Sequence, residues 1–360
     1  MGVPDPARGR LAPLAPLLAL LLAALTAACS PSPGRPAPPA PGPPAGPAAA
    51  APSADAGTDT DANTDTDTDA SPFWVDPRSA AARQVAAWDA RGRSGDAQVL
   101  RRISEQPMAL WAAPRDPGRE IRRAAGEARA AGRTLVLTAH HLPYRACGPR
   151  AAGGAAHAQA YRTWLDAFAA AIGDTKAVVV LEPDAVVHLV DGCTEEARHE
   201  ERYRLLSQAV DRLKKQRHTR VYLDAGGPAS VPDAGRLARP LLKAGLARAD
   251  GFAVNVAGFG SVTAARAYGA RISERTGGEH FVIDTGRAGD GPPPGEGPTA
   301  WCNPPGRSLG PAPTDRTGDP LVDAYLWVKR PGESDGACRG GPPEGAWWPD
   351  YALGLARRAR

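Results

Sequence analysis

The sequence predicts an α/β fold, a parallel (β/α) barrel of the TIM type with seven strands. Seven short apolar runs, most of them rich in Val, Ile or Leu, recur after Phe73 and have the continuous apolar character of strands buried on both faces of a parallel sheet. Amphipathic helical stretches separate most of these runs, as expected for a barrel. A doubly wound open sheet is the alternative, although no Gly-rich fingerprint follows any of the strands.

The predicted elements follow the chain in order. The strands are Met108–Ala113, Thr134–His140, Ala177–Pro183, Arg220–Gly226, Gly251–Ala257, His280–Gly286 and Ala324–Lys329. The helices between them are Arg119–Ala131, Ala158–Ile172, Glu195–Arg217, Ala234–Arg248 and Val262–Thr276. The folded domain is therefore predicted over residues 73–360.

Residues 1–29 have the pattern of a lipoprotein-type signal peptide. Arg8 and Arg10 form a basic n-region, residues 11–25 form an Ala/Leu-rich apolar region, and small residues lead up to Cys29. A cysteine directly after the cleavage point is typical of a bacterial lipoprotein, so we expect Cys29 to be acylated and to anchor the protein to a membrane. Plain secretion with cleavage nearby is the alternative.

Residues 30–72 are predicted to be a disordered linker. Residues 31–52 are mostly Pro, Ala and Gly, and residues 53–71 are mostly Asp, Thr and Ala, so neither part has the apolar content that offsets the entropy of ordering. The Asp/Thr run lacks the Gly and Glu of an EF-hand loop, which argues against a calcium site.

Composition excludes several classes of protein. The net charge is only +4, and no Lys/Arg run is interleaved with aromatic residues, so nucleic-acid binding is not expected. A single long apolar stretch argues against a multi-span membrane protein. Besides Cys29 the chain has an even number of cysteines and no CxxC pair, which favours disulfides in an exported protein over a zinc site: Cys147, Cys193, Cys302 and Cys338. No metal or cofactor is predicted.

Polar and aromatic residues collect at the carboxyl ends of the predicted strands, where barrels of this type carry their active sites. They are Trp111, His140, His141, Glu182, Asp184, Asp224, Asn255, Asp284 and Lys329. Sugar rings stack on indole, and cleavage of a glycosidic bond needs a carboxylic acid with a carboxylate partner. These residues together therefore indicate carbohydrate chemistry.

Ordered motifs over most of the chain resemble family 6 glycoside hydrolases, the cellobiohydrolases and endoglucanases that act on β-1,4-glucan. The matching segments are Phe73–Pro77, Ile103–Pro107, Val178–Asp184, Tyr222–Gly226, Phe281–Thr285, Trp301–Arg307, Leu326–Gly336 and Ala346–Pro349. The resemblance implies a distorted seven-stranded barrel and hydrolysis with inversion at the anomeric carbon. It also implies a monomeric extracellular or cell-surface enzyme with a β-glucan polysaccharide as its partner.

The resemblance assigns roles to individual residues. Asp184 falls on the position of the proton donor, and Asp335 falls on the acid often proposed as the base. Four residues fall on glucose-contacting positions: Trp111, Trp301, Lys329 and Glu333. The family pattern also implies two disulfides, Cys147–Cys193 and Cys302–Cys338.

The chain departs from the family pattern near the centre of the expected cleft. This chain has Ala146 where the family has an auxiliary Asp, His140 where the family has a tyrosine, and Ala152 where the family has a serine. A His-Ser-Ala-Trp segment is replaced by residues 227–230, and an expected Asn is Gly258. Three hypotheses follow: a working β-1,4-glucanase with altered efficiency or substrate, with His140 or His141 as a candidate replacement for the lost acid; a catalytically impaired polysaccharide-binding protein; and a hydrolase of another glycan.

Overall fold

The computed structural model describes residues 71–147, 153–293 and 300–359. Seven parallel strands form one sheet in chain order, which confirms the predicted parallel α/β barrel. The strands are β1 (Leu110–Trp111), β2 (Leu135–Ala139), β3 (Ala177–Leu181), β4 (Thr219–Asp224), β5 (Gly251–Val254), β6 (Phe281–Asp284) and β7 (Val322–Leu326).

Helices lie between and beyond the strands in the described part of the chain. The α-helices are α1 (Ala80–Asp89), α2 (Ser94–Ser104), α3 (Gly118–Ala130), α4 (Ala158–Ile172), α5 (Val187–Val190), α6 (His199–Leu213), α7 (Ala238–Lys243), α8 (Val262–Thr276) and α9 (Pro349–Arg358). Short 3₁₀ turns cover Glu196–Arg198, Ala234–Leu237 and Leu246–Arg248. None of these helices has the length and apolarity that a bilayer crossing requires.

The sheet curls until its two edges approach each other, but no ladder joins β1 to β7 among the described residues. The backbone N–H of Ala109 donates to the carbonyl of Trp327 at 2.9 Å. The indole Nε1–H of Trp111 donates to the carbonyl of Val328 at 2.8 Å. These two contacts bring the edges together as a distorted barrel that remains open at this seam.

Alternate side chains of each strand build two separate cores. In β3, Val178 and Val180 pack in the barrel interior with Tyr222 of β4. Val179 and Leu181 of the same strand pack outward, in the cluster that includes the helices. Because both faces are covered, the strand is apolar throughout, and this explains the continuous apolar runs in the sequence.

Local signals fix the ends of two predicted helices. The His157 side chain accepts from the Ala160 N–H at the start of α4, and the Ser261 hydroxyl accepts from the Ala264 N–H at the start of α8. Each helix ends at a glycine with positive φ: Gly173 at 57° and Gly277 at 91°. The bounds of both helices are those predicted.

Two predicted helices are interrupted. The stretch predicted over 234–248 contains Pro240, and its backbone turns left-handed at Gly245 with φ of 101°, so only the short helix α7 forms between two 3₁₀ turns. The stretch predicted over 195–217 begins with a 3₁₀ turn before α6. Helices α1, α2 and α9 were not predicted, and they pack around Trp327 in a third core cluster that supports the end of β7.

Substitution by alanine at two helical glycines should change the stability of the protein in opposite directions. Alanine normally stabilises a helix interior by about 1 kcal/mol over glycine. At Gly126 in α3 an added Cβ meets nothing within 4 Å, so Gly126→Ala should raise the free energy of unfolding. At Gly269 in α8 the Cβ would lie 2.4 Å from the Phe281 ring, so Gly269→Ala should lower it by about 1–3 kcal/mol. Urea unfolding of both variants checks this, and equal shifts would contradict the packing of α8 on β6.

Candidate active site

Buried polar side chains occupy the carboxyl end of the barrel. Glu182, Asp224, Asn255, Asp284 and Lys329 are all buried, and all lie at or just after the last residues of β3 to β7. In a parallel barrel the carboxyl ends of all the strands lie at the same end of the barrel, which we call the carboxyl edge. The fold therefore places the charged groups together. A surface cavity of about 560 Å³ lies elsewhere and is lined by none of them.

The backbone at the carboxyl edge has an unusual number of left-handed residues. Several non-glycine residues have a left-handed conformation, which costs of order 1–3 kcal/mol each and is typical of functional sites. They include Glu182 (φ 51°), Asp184 (φ 65°), Asn255 (φ 62°), Ala257 (φ 57°) and Asn303 (φ 46°). The surrounding hydrogen bonds must therefore define these conformations strongly.

Asp284 at the end of β6 joins three strand ends. Its Oδ1 accepts from the backbone N–H groups of Gly286 and Val328 at 3.1 and 3.2 Å. Its Oδ2 accepts from the N–H groups of Ala257 and Lys329, both at 2.9 Å. Burial nevertheless raises the pKa of Asp284, and the backbone donors oppose that effect. The sequence placed Asp284 at a strand end but gave no sign of this role.

Asp224 at the end of β4 holds the backbone of the candidate proton donor. Its Oδ2 accepts from the N–H of Asp184 at 2.7 Å, and its Oδ1 accepts from the N–H of Gly226 at 3.2 Å. Burial, together with the neighbouring negative charge of Asp184, raises the pKa of Asp224 to about 8. The two carboxyls are therefore coupled across the ends of adjacent strands.

Asp184 itself is exposed at the top of β3. The protein atoms around its carboxyl still desolvate it and raise its pKa, a shift that His188 opposes and Asp191 assists. Among the carboxyls of this edge described above, it combines access to solvent with a raised pKa. That combination is what a general acid requires.

Glu182, two residues earlier, has a structural position. Its carboxylate accepts from the backbone N–H of His141 at 3.0 Å and from that of Leu142 at 2.9 Å, which ties the end of β2 to that of β3. Burial raises the pKa of Glu182 to about 7. The carboxyl is fully enclosed, so it is not available to a substrate.

Asp335 lies in the loop after β7 and is held from several sides. Nη1 of the buried Arg287 donates to both of its oxygens, at 2.9 and 2.7 Å. The backbone N–H of Asn303 donates to Oδ2 at 3.0 Å, while the Asn303 side chain accepts from the N–H of Asp335 at 2.8 Å. Nζ of Lys329 is 3.6 Å from Oδ1. The side chain is 6% exposed and forms an ion pair, so it is a carboxylate.

Lys329 and Glu333, the predicted glucose-contacting charges, flank this loop. Nζ of Lys329 donates to the carbonyl of Ser334 at 3.1 Å, and burial lowers the pKa of this lysine. Glu333 pairs with Arg330 at 2.8 Å, and burial raises the pKa of Glu333. The partners of Lys329 and Glu333 therefore offset only part of the cost of burying their charges.

The two predicted tryptophans differ in exposure. Trp301 is 60% exposed, which is unusual for so large an apolar side chain. Trp111 is half-buried, is fixed by its bond to Val328, and stands edge-on to His140 with ring centres 5.5 Å apart. Trp301 therefore offers an open indole face, and Trp111 forms a rigid wall.

Two disulfides tie the loops of this edge, with the pairing that the sequence implied. Cys147–Cys193 links the loop after β2 to the segment after α5, and Cys302–Cys338 links the two loops that carry Asn303 and Asp335. A nitrogen of the His188 ring lies within 4.8 Å of both sulfurs of the first disulfide. Because both cysteines are oxidised, no thiolate is available there for a metal.

Neither His140 nor His141 is placed to supply the missing acid. Burial, followed by Arg145 and other imidazoles, lowers the pKa of His140 to about 3, so this ring is neutral and lies 3.0 Å from Nη1 of Arg145. The His141 ring packs on Trp164 at 4.8 Å, and burial lowers its pKa as well. Neutral rings of this kind do not carry a proton near neutral pH.

One other departure from the family pattern, at Gly258, has a local explanation. A Cβ at Gly258 would lie 2.3 Å from Oδ1 of Asn255, so the Asn255 side chain occupies that space. Ala146 is half-buried, beside the disulfide of Cys147. Ala152 and Cys29 lie outside the residues that the structure describes.

The chain is similar to known proteins over most of its length. The family model described as glycosyl hydrolases family 6 matches residues 68–359. An Endoglucanase A of Cellulomonas fimi is 39% identical over 81% of this chain and 62% of its own length. An Endoglucanase A of Thermobispora bispora is 39% identical over 80% of this chain and 62% of its own length. The chain thus spans less than two thirds of these two relatives.

A solved structure shares the fold at a similar level of identity. The endoglucanase of Mycobacterium tuberculosis, in complex with methyl-cellobiosyl-4-deoxy-4-thio-β-D-cellobioside, is 41% identical. It aligns with a TM-score of 0.73 over 80% of this chain and 97% of that chain.

The pKa of Asp224 gives a prediction for stability. A carboxyl with a pKa of about 8 in the folded state binds its proton more tightly than the unfolded chain does. Its contribution to stability is therefore present at low pH and is lost as the pH rises from about 4 towards 8. Asp224→Asn removes this titration and also one hydrogen bond, but the latter loss is the same at every pH.

We expect the free energy of unfolding of the native protein, minus that of Asp224→Asn, to fall by about 1 kcal/mol or more between pH 4 and pH 8. Urea unfolding at several pH values measures this difference. Asp174→Asn, at an exposed position, is the control and should show no such trend. A pH-independent difference for Asp224→Asn would mean that Asp224 is ionised throughout.

Proposed function

The chain belongs to glycosyl hydrolases family 6, and on that premise we propose that it hydrolyses β-1,4-glucosidic bonds of cellulose or a related β-glucan with inversion. The observation that carries the proposal is the contrast between two carboxyls. Asp184 is exposed with a raised pKa, whereas Asp335 is enclosed and ion-paired with Arg287. One protonated and one ionised carboxyl are the pair that an inverting glycosidase uses.

Asp184 is the general acid in this proposal. Its proton passes to the glycosidic oxygen as the bond to the anomeric carbon breaks, so the leaving sugar departs as a neutral alcohol. A water molecule attacks the opposite face of the ring, which inverts the anomeric configuration. Asp224 supports the step because it accepts the backbone N–H of Asp184 and so fixes the backbone of the donor.

Asp335 is the proposed base. Its Oδ2 already accepts two hydrogen bonds, from Arg287 and Asn303, and Oδ1 accepts one. A carboxylate oxygen can accept about two hydrogen bonds, so Oδ1 retains one position for a water molecule that donates to it. Lys329, 3.6 Å from this oxygen, adds positive charge beside it.

The substrate contacts are proposed for Trp111, Trp301, Lys329 and Glu333. The exposed indole of Trp301 suits the C–H face of a glucose ring, and the partly compensated Lys329 and Glu333 suit its hydroxyl groups. Two relatives are named endoglucanases, and this supports cleavage within the polysaccharide chain over release of sugars from its ends. We therefore propose an endo-acting enzyme on a β-glucan polysaccharide, acting as a monomer and without a cofactor.

Export is proposed from the sequence and is supported by the two disulfides, which form and persist in oxidising compartments. Residues 1–29 would direct export, acylated Cys29 would anchor the protein at the cell surface, and residues 30–72 would hold the catalytic domain of residues 73–360 away from the membrane.

The experiment that tests the function measures reducing ends and viscosity together on a soluble β-1,4-glucan. An endo-acting enzyme lowers viscosity early, and NMR of the first product should show the inverted anomer. Mixed-linkage glucan and cell-wall glycans serve as alternative substrates. Hydrolysis confined to one of these would overturn the proposed substrate, and binding without hydrolysis would favour the impaired alternative.

Asp184→Ala should lower the rate of hydrolysis of the soluble glucan by about 10²–10⁴-fold, the usual contribution of a general acid. An aryl β-cellobioside whose phenol leaves without protonation should retain far more activity in the same variant. Initial rates on both substrates measure this, with Asp174→Asn as the control at an exposed position. Near-native rates on the soluble glucan would remove Asp184 from the donor role.

Ala146→Asp should raise activity on the soluble glucan. A carboxyl beside the Cys147–Cys193 disulfide adds negative charge near the donor and raises the pKa of Asp184 further, so more of the acid is protonated near neutral pH. We expect a gain of about tenfold or more and an optimum at higher pH, within the range of acid–base contributions. Ala146→Asn is the uncharged control. An unmoved optimum would show that the site works without this acid.

A further inference from the structure

Tyr144 lies beside the candidate proton donor, in the loop that follows β2. The buried guanidinium of Arg202 donates to the carbonyl of Tyr144 at 2.6 Å and to the carbonyl of Ala185 at 3.3 Å. Three residues after Tyr144, the Cys147–Cys193 disulfide ties the same loop to the segment after α5. Because one guanidinium contacts both carbonyls, the backbone of Tyr144 is a close neighbour of Ala185, the residue directly after Asp184.

The backbone of Tyr144 has a conformation that is unfavourable for its side chain. Its φ is 54°, in the left-handed region. Glycine and asparagine adopt this region readily, but a large aromatic residue there is an outlier, and such strained residues collect at functional sites. The hydrogen bond from Arg202 and the nearby disulfide hold the strained backbone in place. The chain therefore keeps a tyrosine at a position where a smaller residue would cost less free energy.

The ring of Tyr144 is open to solvent. In the part of the chain that the structure describes, three large apolar side chains are exposed: Tyr144 (37%), Leu242 (42%) and Trp301 (60%). Leu242 belongs to helix α7, whereas both aromatic residues lie in loops of the carboxyl edge. An exposed aromatic ring with a polar tip suits contact with a ligand that has apolar and polar parts.

Arg198 covers one side of the Tyr144 ring. Its Cζ lies 3.8 Å from the ring centre, and its Nε donates to Glu195 at 3.1 Å. A guanidinium over an aromatic ring is attracted to it, so Arg198 holds the ring in one orientation before a ligand arrives. Because the guanidinium covers one face, we expect the exposed area to include the opposite face. A fixed ring with a free face is a suitable platform for the C–H face of a sugar.

We propose that Tyr144 is a substrate-binding residue that stacks on a glucose unit of the β-glucan, close to the bond that Asp184 protonates. This inference rests on the proposed function of the chain as a β-glucan hydrolase. A glucose ring has an apolar C–H face and a rim of hydroxyl groups, which match the ring and the phenol hydroxyl of tyrosine. Tyr144 contributes no proton to the reaction, so it acts on substrate binding and leaves the chemical step unchanged.

The first test measures the binding of cellohexaose by calorimetry in the Asp184→Ala background, in which hydrolysis is slow. Tyr144→Asn removes the ring, and asparagine tolerates the left-handed backbone. We expect the dissociation constant to rise by about 3–10-fold, the usual worth of one aromatic contact. Tyr144→Phe keeps the ring and should bind like the parent. Leu242→Ala removes a similarly exposed apolar side chain from α7, so it is the control and should also bind like the parent.

The same substitution in the active enzyme separates binding from chemistry. Tyr144→Asn should raise KM on a soluble β-1,4-glucan by about the factor found for the dissociation constant, roughly 3–10-fold, and should leave kcat unchanged. A fall in kcat at constant KM would show that the loop supports the chemical step instead, which overturns the inference.

The second test needs no loss of function. In Asp184→Ala, the ring protons of Tyr144 are assigned by comparison with Tyr144→Phe. Nuclear Overhauser effects between these protons and the C–H protons of bound cellohexaose then report stacking directly, and we expect to observe them.

These measurements separate the possible failures. If Asp184→Ala does not bind cellohexaose, the proposed function and this inference are both overturned. If it binds and Tyr144→Asn binds equally well, or if the ring shows no Overhauser effect, this inference alone is overturned. Equal losses in Tyr144→Phe and Tyr144→Asn also overturn it, because the contact would then be the hydroxyl and not the ring. A loss in Tyr144→Asn that Tyr144→Phe restores, together with the Overhauser effects, supports the inference.

Discussion

The carboxyl end of this barrel depends on buried carboxyl groups that accept hydrogen bonds from backbone N–H groups of neighbouring strand ends. Asp284 accepts four such bonds and joins β5, β6 and β7, while Glu182 ties β2 to β3 and Asp224 ties β3 to β4. A buried polar group is tolerated only when it is hydrogen-bonded. Two of these donors, the N–H groups of Asp184 and Ala257, belong to residues in a left-handed conformation, so these hydrogen bonds help to hold the unusual backbone.

The same arrangement separates the two candidate catalytic acids. Asp224 accepts a hydrogen bond from the backbone of Asp184, and the side chain of Asp184 remains in solvent. The side chain of Asp335, in contrast, accepts hydrogen bonds from Arg287 and Asn303. One carboxyl is therefore free to exchange a proton, and the other is held as an anion. The raised pKa of Asp224 and the left-handed residues lower stability, and the double core and the two disulfides offset that cost.

Much of the fold could be predicted because its signals are local or periodic. The bounds of α4 and α8 are set by an adjacent capping side chain and a terminal glycine, and the strands are continuous apolar runs. The predicted helix over 234–248 failed because Pro240 and Gly245 outweighed its amphipathic pattern. Helices α1, α2 and α9 were not predicted. Their apolar residues are buried by packing around Trp327, and this contact between distant segments is not visible in the sequence.

For the site, the sequence by itself determined which residues reach the active edge, because strand ends in a parallel barrel converge and because the ordered motifs name Asp184, Asp335 and their neighbours. It also determined the disulfide pairing through the family pattern. Only the tertiary structure decided the exposure and the hydrogen-bond partners of each group there. Exposure distinguishes Asp184 from the enclosed Glu182, and Asp224 and Asp284 accept hydrogen bonds that join neighbouring strand ends. Solvent access and hydrogen-bond partners set the protonation of a carboxyl, and both arise from segments distant in sequence.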